Sequence, residues 1–173
     1  MTRVVPVPVL DGLDTDACIA ALAPLFEGAP RFLVRLAAAR PFGDEGTLLA
    51  RAREIAHAMP EPEQVELIDA HPRLGAPPGS VSALSFREQG YDREAADAAA
   101  EAERARVDAE LARLNAAYEA RFGFRYCVFV AGRPRAALLP ELAAALHAGR
   151  DAELHRALDA VVDIAGARWR AMG

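Results

Sequence analysis

Apolar residues recur at helical spacing along most of the chain and predict a succession of amphipathic helices. Residues 1 to 13 read as an extended lead-in, because Pro6 and Pro8 interrupt it. Asp14 or Asp16 can cap a first helix over roughly 15 to 27, with Ile19, Leu22 and Phe26 on one face. Pro24 should bend or break that helix. Pro30 suits the first position of a second helix, with Leu33, Leu36 and Ala37 inward, and Arg40-Pro41-Phe42-Gly43 ends it. A third helix is expected from about Thr47 to Met59. A fourth starts near Glu61 and stops near His71, because Pro72 disfavours helical geometry at the residue before it.

Residues 72 to 84 (PRLGAPPGSVSAL) form a Pro/Gly/Ser-rich loop, and long structureless loops within compact domains are often functional. A long alanine- and charge-rich helix follows from about Arg93 to Phe122, with Gly123 as a left-handed terminator. Residues 124 to 131 (FRYCVFVA) have strand composition but no strand partner elsewhere, so they read as an extended segment buried against helices. Two further helices are expected at about 135–148 and 151–170. The reading is an all-α fold in one domain spanning 1–173, with residues 124–131 as its one buried extended segment.

Composition supports this reading. Of 173 residues 53% are hydrophobic but only 6% aromatic, and alanine, the best helix former, supplies much of the apolar fraction. The net charge is −5, with acidic and basic residues interleaved, which argues against nucleic acid as a partner. Cys18 and Cys127 are far apart and suggest no disulfide framework, so both are expected reduced, in a cytoplasmic setting. No apolar run reaches membrane-spanning length, and no targeting segment is evident.

Four histidines are present, and none makes a metal-binding H-x-x-x-H pair, so no metal is expected. His57, His147 and His155 look like ordinary helix positions. His71 sits at a helix end and opens the Gly/Pro loop. It either caps the last carbonyls of its helix or carries chemistry. Ser85-x-x-Glu88 fits a capping box, although a helix start is also a place where unpaired N–H groups favour an anion. On the last helix Leu154, Leu158, Val161 and Ala165 form an apolar stripe, and Arg168 is its next step. Arg168 therefore either reaches solvent at a fraying end or is buried with a partner, because an unpaired buried charge is costly.

Several pieces, in order, resemble the family of 2-oxo-4-hydroxy-4-carboxy-5-ureidoimidazoline (OHCU) decarboxylases. Ala70-His71-Pro72-Arg73-Leu74-Gly75 resembles its A-H-P-x-[LI]-[AG] segment. Ser85-Phe86-Arg87-Glu88-Gln89 resembles its S-x-x-E-Q, and Leu114 through Phe124 resembles its L-N-x-x-Y-x-x-R-F-G-F. Glu153 through Arg168 resembles the closing helix, and Arg40-Pro41-Phe42 matches a further R-P-F. The resemblance covers almost the whole chain, and the ordered set is its specific part. Departures are Arg125 for the usual proline, Trp169 after the closing arginine, Gly90-Tyr91-Asp92 after E-Q, and a shortened loop between His71 and Ser85.

The resemblance implies an all-α fold of about eight helices, a homodimer that needs no metal or organic cofactor and acts on a small ureido-imidazoline. It places the catalytic residues at His71, Glu88 and Arg168. It places substrate contacts at Pro72, Ser85 and Gln89 and along the backbone of Tyr126, Cys127, Val128, Phe129 and Val130. In that reading His71, with a reference pKa near 6.5, serves as acid and base at neutral pH. Arg168 anchors Glu88 or grips a polar group of the substrate. Two alternatives stay open: a lyase or hydrolase acting on a related ureido or imidazole ring, and a non-catalytic helical binding or dimerisation module.

Overall fold

Nine α-helices account for the regular structure in a computed structural model that describes residues 4–93 and 98–173. They are α1 (Val7–Gly12), α2 (Thr15–Leu22), α3 (Pro30–Ala38), α4 (Glu45–Ala58), α5 (Glu61–Asp69), α6 (Ala83–Glu88), α7 (Ala98–Phe122), α8 (Arg135–Ala145) and α9 (Arg150–Met172). No strand occurs among the described residues, so the all-α expectation holds.

The lead-in is not wholly extended, because Val7–Gly12 forms α1. Pro6 caps this helix and Pro8 lies in its first turn, where the missing N–H would have had no helical partner. Asp14 caps α2, its side chain accepting from the Ala17 N–H at 2.8 Å. Pro24 then ends the regular helix: α2 stops at Leu22, and Ala23–Leu25 continues as a 3₁₀ turn. Asp44 caps α4 in the same way, at 2.7 Å from the Thr47 N–H, so α4 starts two residues before its expected position. The long helix was expected from about Arg93; residues 94–97 lie outside the described part, and α7 is described from Ala98.

The chain groups into two compact units. One runs up to His71 and takes in Leu154–Gly173; the other is Pro72–Glu153. In the first, α3 packs against α2, α4 and α5. Its core holds Leu22, Phe26, Phe32, Leu33, Leu36, Leu48 and Leu67, joined by the α9 stripe of Leu158, Val161 and Ala165. Each of the Leu, Phe and Val side chains contributes about 1.5–3 kcal/mol through burial. The R-P-F piece fastens α1 to the end of α3. Arg40 Nε donates to the Ala37 carbonyl at 2.8 Å, and its Nη1 donates to the carbonyls of Leu10 and Leu13. The Asp11 carboxylate accepts from the N–H groups of Phe42 and Gly43, each at 2.8 Å.

In the second unit α7 packs on α8. The expected extended segment is present: residues 125–130 have no regular structure, and Phe124, Tyr126, Cys127 and Val130 are buried. Gly123, at φ 81°, makes the left-handed turn that ends α7 and releases this segment. Cys18 and Cys127 are both buried.

Candidate functional site

His71 is 3% exposed, two residues beyond the end of α5. Its backbone N–H donates to the Ile68 carbonyl at 3.1 Å, and its Nδ1 lies 3.2 Å from the Leu67 carbonyl oxygen. A carbonyl only accepts, so Nδ1 carries the proton and Nε2 is the basic nitrogen of the ring. The capping contact weighed from sequence is therefore real, and it fixes the tautomer that a proton acceptor needs. Burial, and then the positive charge of Arg168, push the His71 pKa down to about 4; the Leu67 contact and the Glu27 charge oppose that fall. The ring is thus neutral at pH 7. This corrects the expectation that His71 is poised between both states there.

Arg168 does not reach solvent. Its side chain is 1% exposed, and Nη1 donates to the Pro24 carbonyl at 3.0 Å and the Leu25 carbonyl at 3.4 Å. Nη2 donates to Glu27 Oε1 at 2.7 Å. The periodicity of α9 had placed this arginine on the buried stripe, and the structure agrees. The sequence suggests that Arg168 anchors Glu88 or grips a substrate group; within the unit that holds Arg168, Glu27 pairs with it. No sequence motif had drawn attention to Glu27. One signal was available, because Glu27-Gly28 precedes a helix-starting proline in a short turn that a buried cation can use.

In the second unit, α6 begins earlier than the S-x-x-E pattern suggests. Ser82 is its cap, accepting from the Ser85 N–H at 3.2 Å, so Ser85 is a buried residue inside the helix and not the cap. The helix started upstream because Ser82 offers the same cap chemistry three residues before. Glu88 is the last residue of α6 and half-buried, and Pro72 is half-buried as well.

Gln89 closes α6 and holds the loop. Its Oε1 accepts from the Gly75 N–H at 2.7 Å, and its Nε2 donates to the Arg73 carbonyl at 3.1 Å. Tyr91, one of the departures from the family pattern, donates from its hydroxyl to the Ala76 carbonyl at 2.5 Å. The loop is fastened to α7 as well. Asn115 Nδ2 donates to the Leu74 carbonyl at 2.9 Å, and Arg73 forms a two-pronged ion pair with Glu119 at 2.5 and 2.8 Å. That pair holds the Glu119 carboxyl below its usual range.

The L-N-x-x-Y-x-x-R-F-G-F stretch is therefore a scaffold. Asn115 grips the loop, and Tyr118 donates to Glu153 Oε2 at 2.8 Å. The Tyr118 ring packs edge-on to Phe124 and Tyr126, with centroids 5.8 and 5.2 Å away. Of the segment expected to present backbone to a ligand, Tyr126, Cys127 and Val130 are buried and Val128 and Phe129 half-buried. The carbonyls of Phe129 and Val130 accept from Arg133 at 2.8 and 3.0 Å.

A cavity of about 390 Å³ in this unit has Gln89, Arg93, Arg104, Arg133 and Arg135 in its wall. Arg135 stacks over the Tyr91 ring at 4.1 Å and lies 3.5 Å from Asp108, while Arg133 pairs with Glu141 at 2.8 Å. Among the described residues no group of three His, Cys, Asp or Glu side chains is placed to hold a metal ion. No described helix is long and apolar enough to cross a membrane.

The protein "Uric acid degradation bifunctional protein PucL" of Bacillus subtilis (strain 168) is 31% identical over 156 residues, which is 90% of this chain and 30% of that protein. The chain thus spans under a third of that relative's length. A crystal structure of OHCU decarboxylase in the presence of (S)-allantoin shares the fold with a TM-score of 0.66 at 22% identity, over 87% of this chain and 94% of that one. A crystal structure of (S)-allantoin synthase does so with a TM-score of 0.64 at 18% identity, over 97% of this chain and 54% of that one. The OHCU decarboxylase family model matches residues 11–170, and the chain belongs to that family.

Proposed function

We propose that this chain decarboxylates 2-oxo-4-hydroxy-4-carboxy-5-ureidoimidazoline to (S)-allantoin and CO2, as a carboxy-lyase of urate breakdown. The observation that carries the reading is His71: a buried, neutral imidazole with Nδ1 held by a carbonyl, under the charge of a buried arginine, in a chain of this family. The homodimer, the cytoplasmic location, and the action of both units as one domain over 1–173 belong to the same reading.

The chemistry asks little of the protein beyond positioning and proton transfer. When the bond from the ring carbon to the carboxylate breaks, its electron pair moves into the adjacent ring imine. The substrate is its own electron sink, so no cofactor is required. Neutral His71 accepts the ring hydroxyl proton at Nε2 as CO2 departs and passes it to the neighbouring carbon, which sets the (S) centre. The ring nitrogen takes one proton from solvent, and the balance closes. A low His71 basicity suits the second transfer, because a weakly held proton is readily given to carbon. The anionic substrate also raises the ring's basicity on binding, which favours the first transfer.

Arg168 donates to a polar group of the substrate, and Glu88 turns its carboxylate out of the ring plane. Pro72, Ser85, Gln89 and the backbone of 126–130 contact the ureido and ring amide edges. The departures from the family pattern are largely scaffold: Tyr91 braces the loop and Trp169 is buried. They favour the family substrate over a different ring. The test is the rate of loss of freshly generated OHCU against its spontaneous decay, with chiral detection of allantoin. Wild-type protein should accelerate decay and give the (S) product, and a folded His71→Ala variant should not. Full activity of that variant would remove the mechanism.

A further inference from the structure

We propose that Glu27 is a positioning residue of this site, one that fixes Arg168 in place and cancels its charge, so that Arg168 meets an anionic substrate as a hydrogen-bond donor and not as a net cation. This rests on the decarboxylase reading above. Four observations support it. Glu27 adopts φ 51°, a left-handed conformation that glycine or asparagine takes at lower cost. Gly28 follows at φ 75°, so the chain folds back here and could have used a less strained residue. The glutamate carboxylate instead lies 2.7 Å from Arg168 Nη2 and is largely buried, at 15% exposure. The Pro24 and Leu25 carbonyls on the same turn complete the grip, so one four-residue turn sets the guanidinium plane.

The chemical reason lies in the departing group. A decarboxylase gains nothing from a strong ion pair with the carboxylate it must expel as neutral CO2, because that attraction is lost in the transition state. An arginine whose charge is already answered can orient the substrate without holding back the reaction. Removing the Glu27 charge should therefore strengthen ground-state binding and slow turnover together. That pairing is the opposite of what simple damage to a site produces.

The experiment uses the full chain, with Glu27→Gln and Glu27→Asp variants. Binding is measured by calorimetry with hydantoin-5-acetate, a stable carboxylated ring, and with neutral hydantoin. Glu27→Gln should bind the carboxylate about tenfold more tightly relative to the neutral ring than wild type does. On OHCU its KM should fall and its kcat should fall at least about tenfold. Glu27→Asp keeps the charge but draws it back by one methylene. It should leave the affinity ratio unchanged while lowering kcat. An unchanged ratio in Glu27→Gln overturns the proposal. If that variant does not fold, Glu27→Asp decides alone, and full kcat there overturns it. Wild-type protein that turns over OHCU but does not bind the carboxylate probe also overturns it. Wild-type protein that neither binds the probes nor accelerates OHCU decay overturns the decarboxylase reading itself.

Discussion

The Gln89 side chain clasps the backbone on both sides of Leu74, accepting from the Gly75 N–H at 2.7 Å and donating to the Arg73 carbonyl at 3.1 Å. The partners define which end of the amide is oxygen, since an N–H needs an acceptor and a carbonyl needs a donor. Gln89, proposed to read a ligand, thus also fixes the loop that opens at Pro72. Gln89→Ala should lose about 1–3 kcal/mol in chemical denaturation, because it removes two part-buried hydrogen bonds worth about 0.5–1.5 kcal/mol each. The Gly75 amide should also exchange with solvent faster. Unchanged Gly75 exchange would show that the loop is held by other means.

Gly75 itself admits no side chain. It lies at φ 79°, and an added Cβ would sit 2.9 Å from Leu111 Cδ1. Gly75→Ala should destabilise by at least about 2 kcal/mol through backbone strain and overpacking. Leu111→Ala alone should cost about 2–5 kcal/mol as a core truncation. Combined, the two should cost less than their sum, because the smaller residue at 111 relieves the clash. Additive losses would mean that the tight approach is absent.

These two residues show what sequence could and could not disclose. Gly75 and Gln89 were visible as parts of motifs, but their mutual contact was not, since nothing local links positions 14 apart in a loop and a helix end. Helices were legible where period and a start signal coincided, as at Asp14 and Pro30. Boundaries slipped where a second cap competed, as Ser82 did with Ser85 and Asp44 did near Thr47. Arg168 was legible because a charge on an apolar stripe demands an answer. The answer, Glu27, lies 141 residues away and was beyond any local pattern.

Tyr118 donates to the Glu153 carboxylate at 2.8 Å, and both side chains are buried. Hydrogen bonds to charged groups are worth about 1.5–3 kcal/mol, roughly twice the neutral case. Tyr118→Phe preserves the ring contacts with Phe122, Phe124 and Tyr126, so it isolates the hydroxyl. The variant should lose about 2 kcal/mol of stability. It should retain the far-ultraviolet helical signature, and its denaturation midpoint should fall. A loss below about 0.5 kcal/mol would assign the tyrosine to ring packing alone.

His71 gives a pH signature with a definite sign. Its pKa is pushed down from 6.5 to about 4 in the folded chain, so between those values the unfolded chain binds the proton first. Stability from this residue is complete above pH 6.5, declines as pH falls toward 4, and changes no further below. The span is about 3 kcal/mol. Urea denaturation of wild type and His71→Gln at several pH values should show the stability difference between them changing within that window and staying constant above it. Turnover carries a second signature. The ring must be neutral to accept a proton, and it already is throughout this window in the free enzyme. The kcat/KM profile should therefore show no acidic limb near 6.5. A limb there that vanished in a variant of no other histidine, paired with flat stability, would mean that the ring is solvated and that burial does not set its basicity.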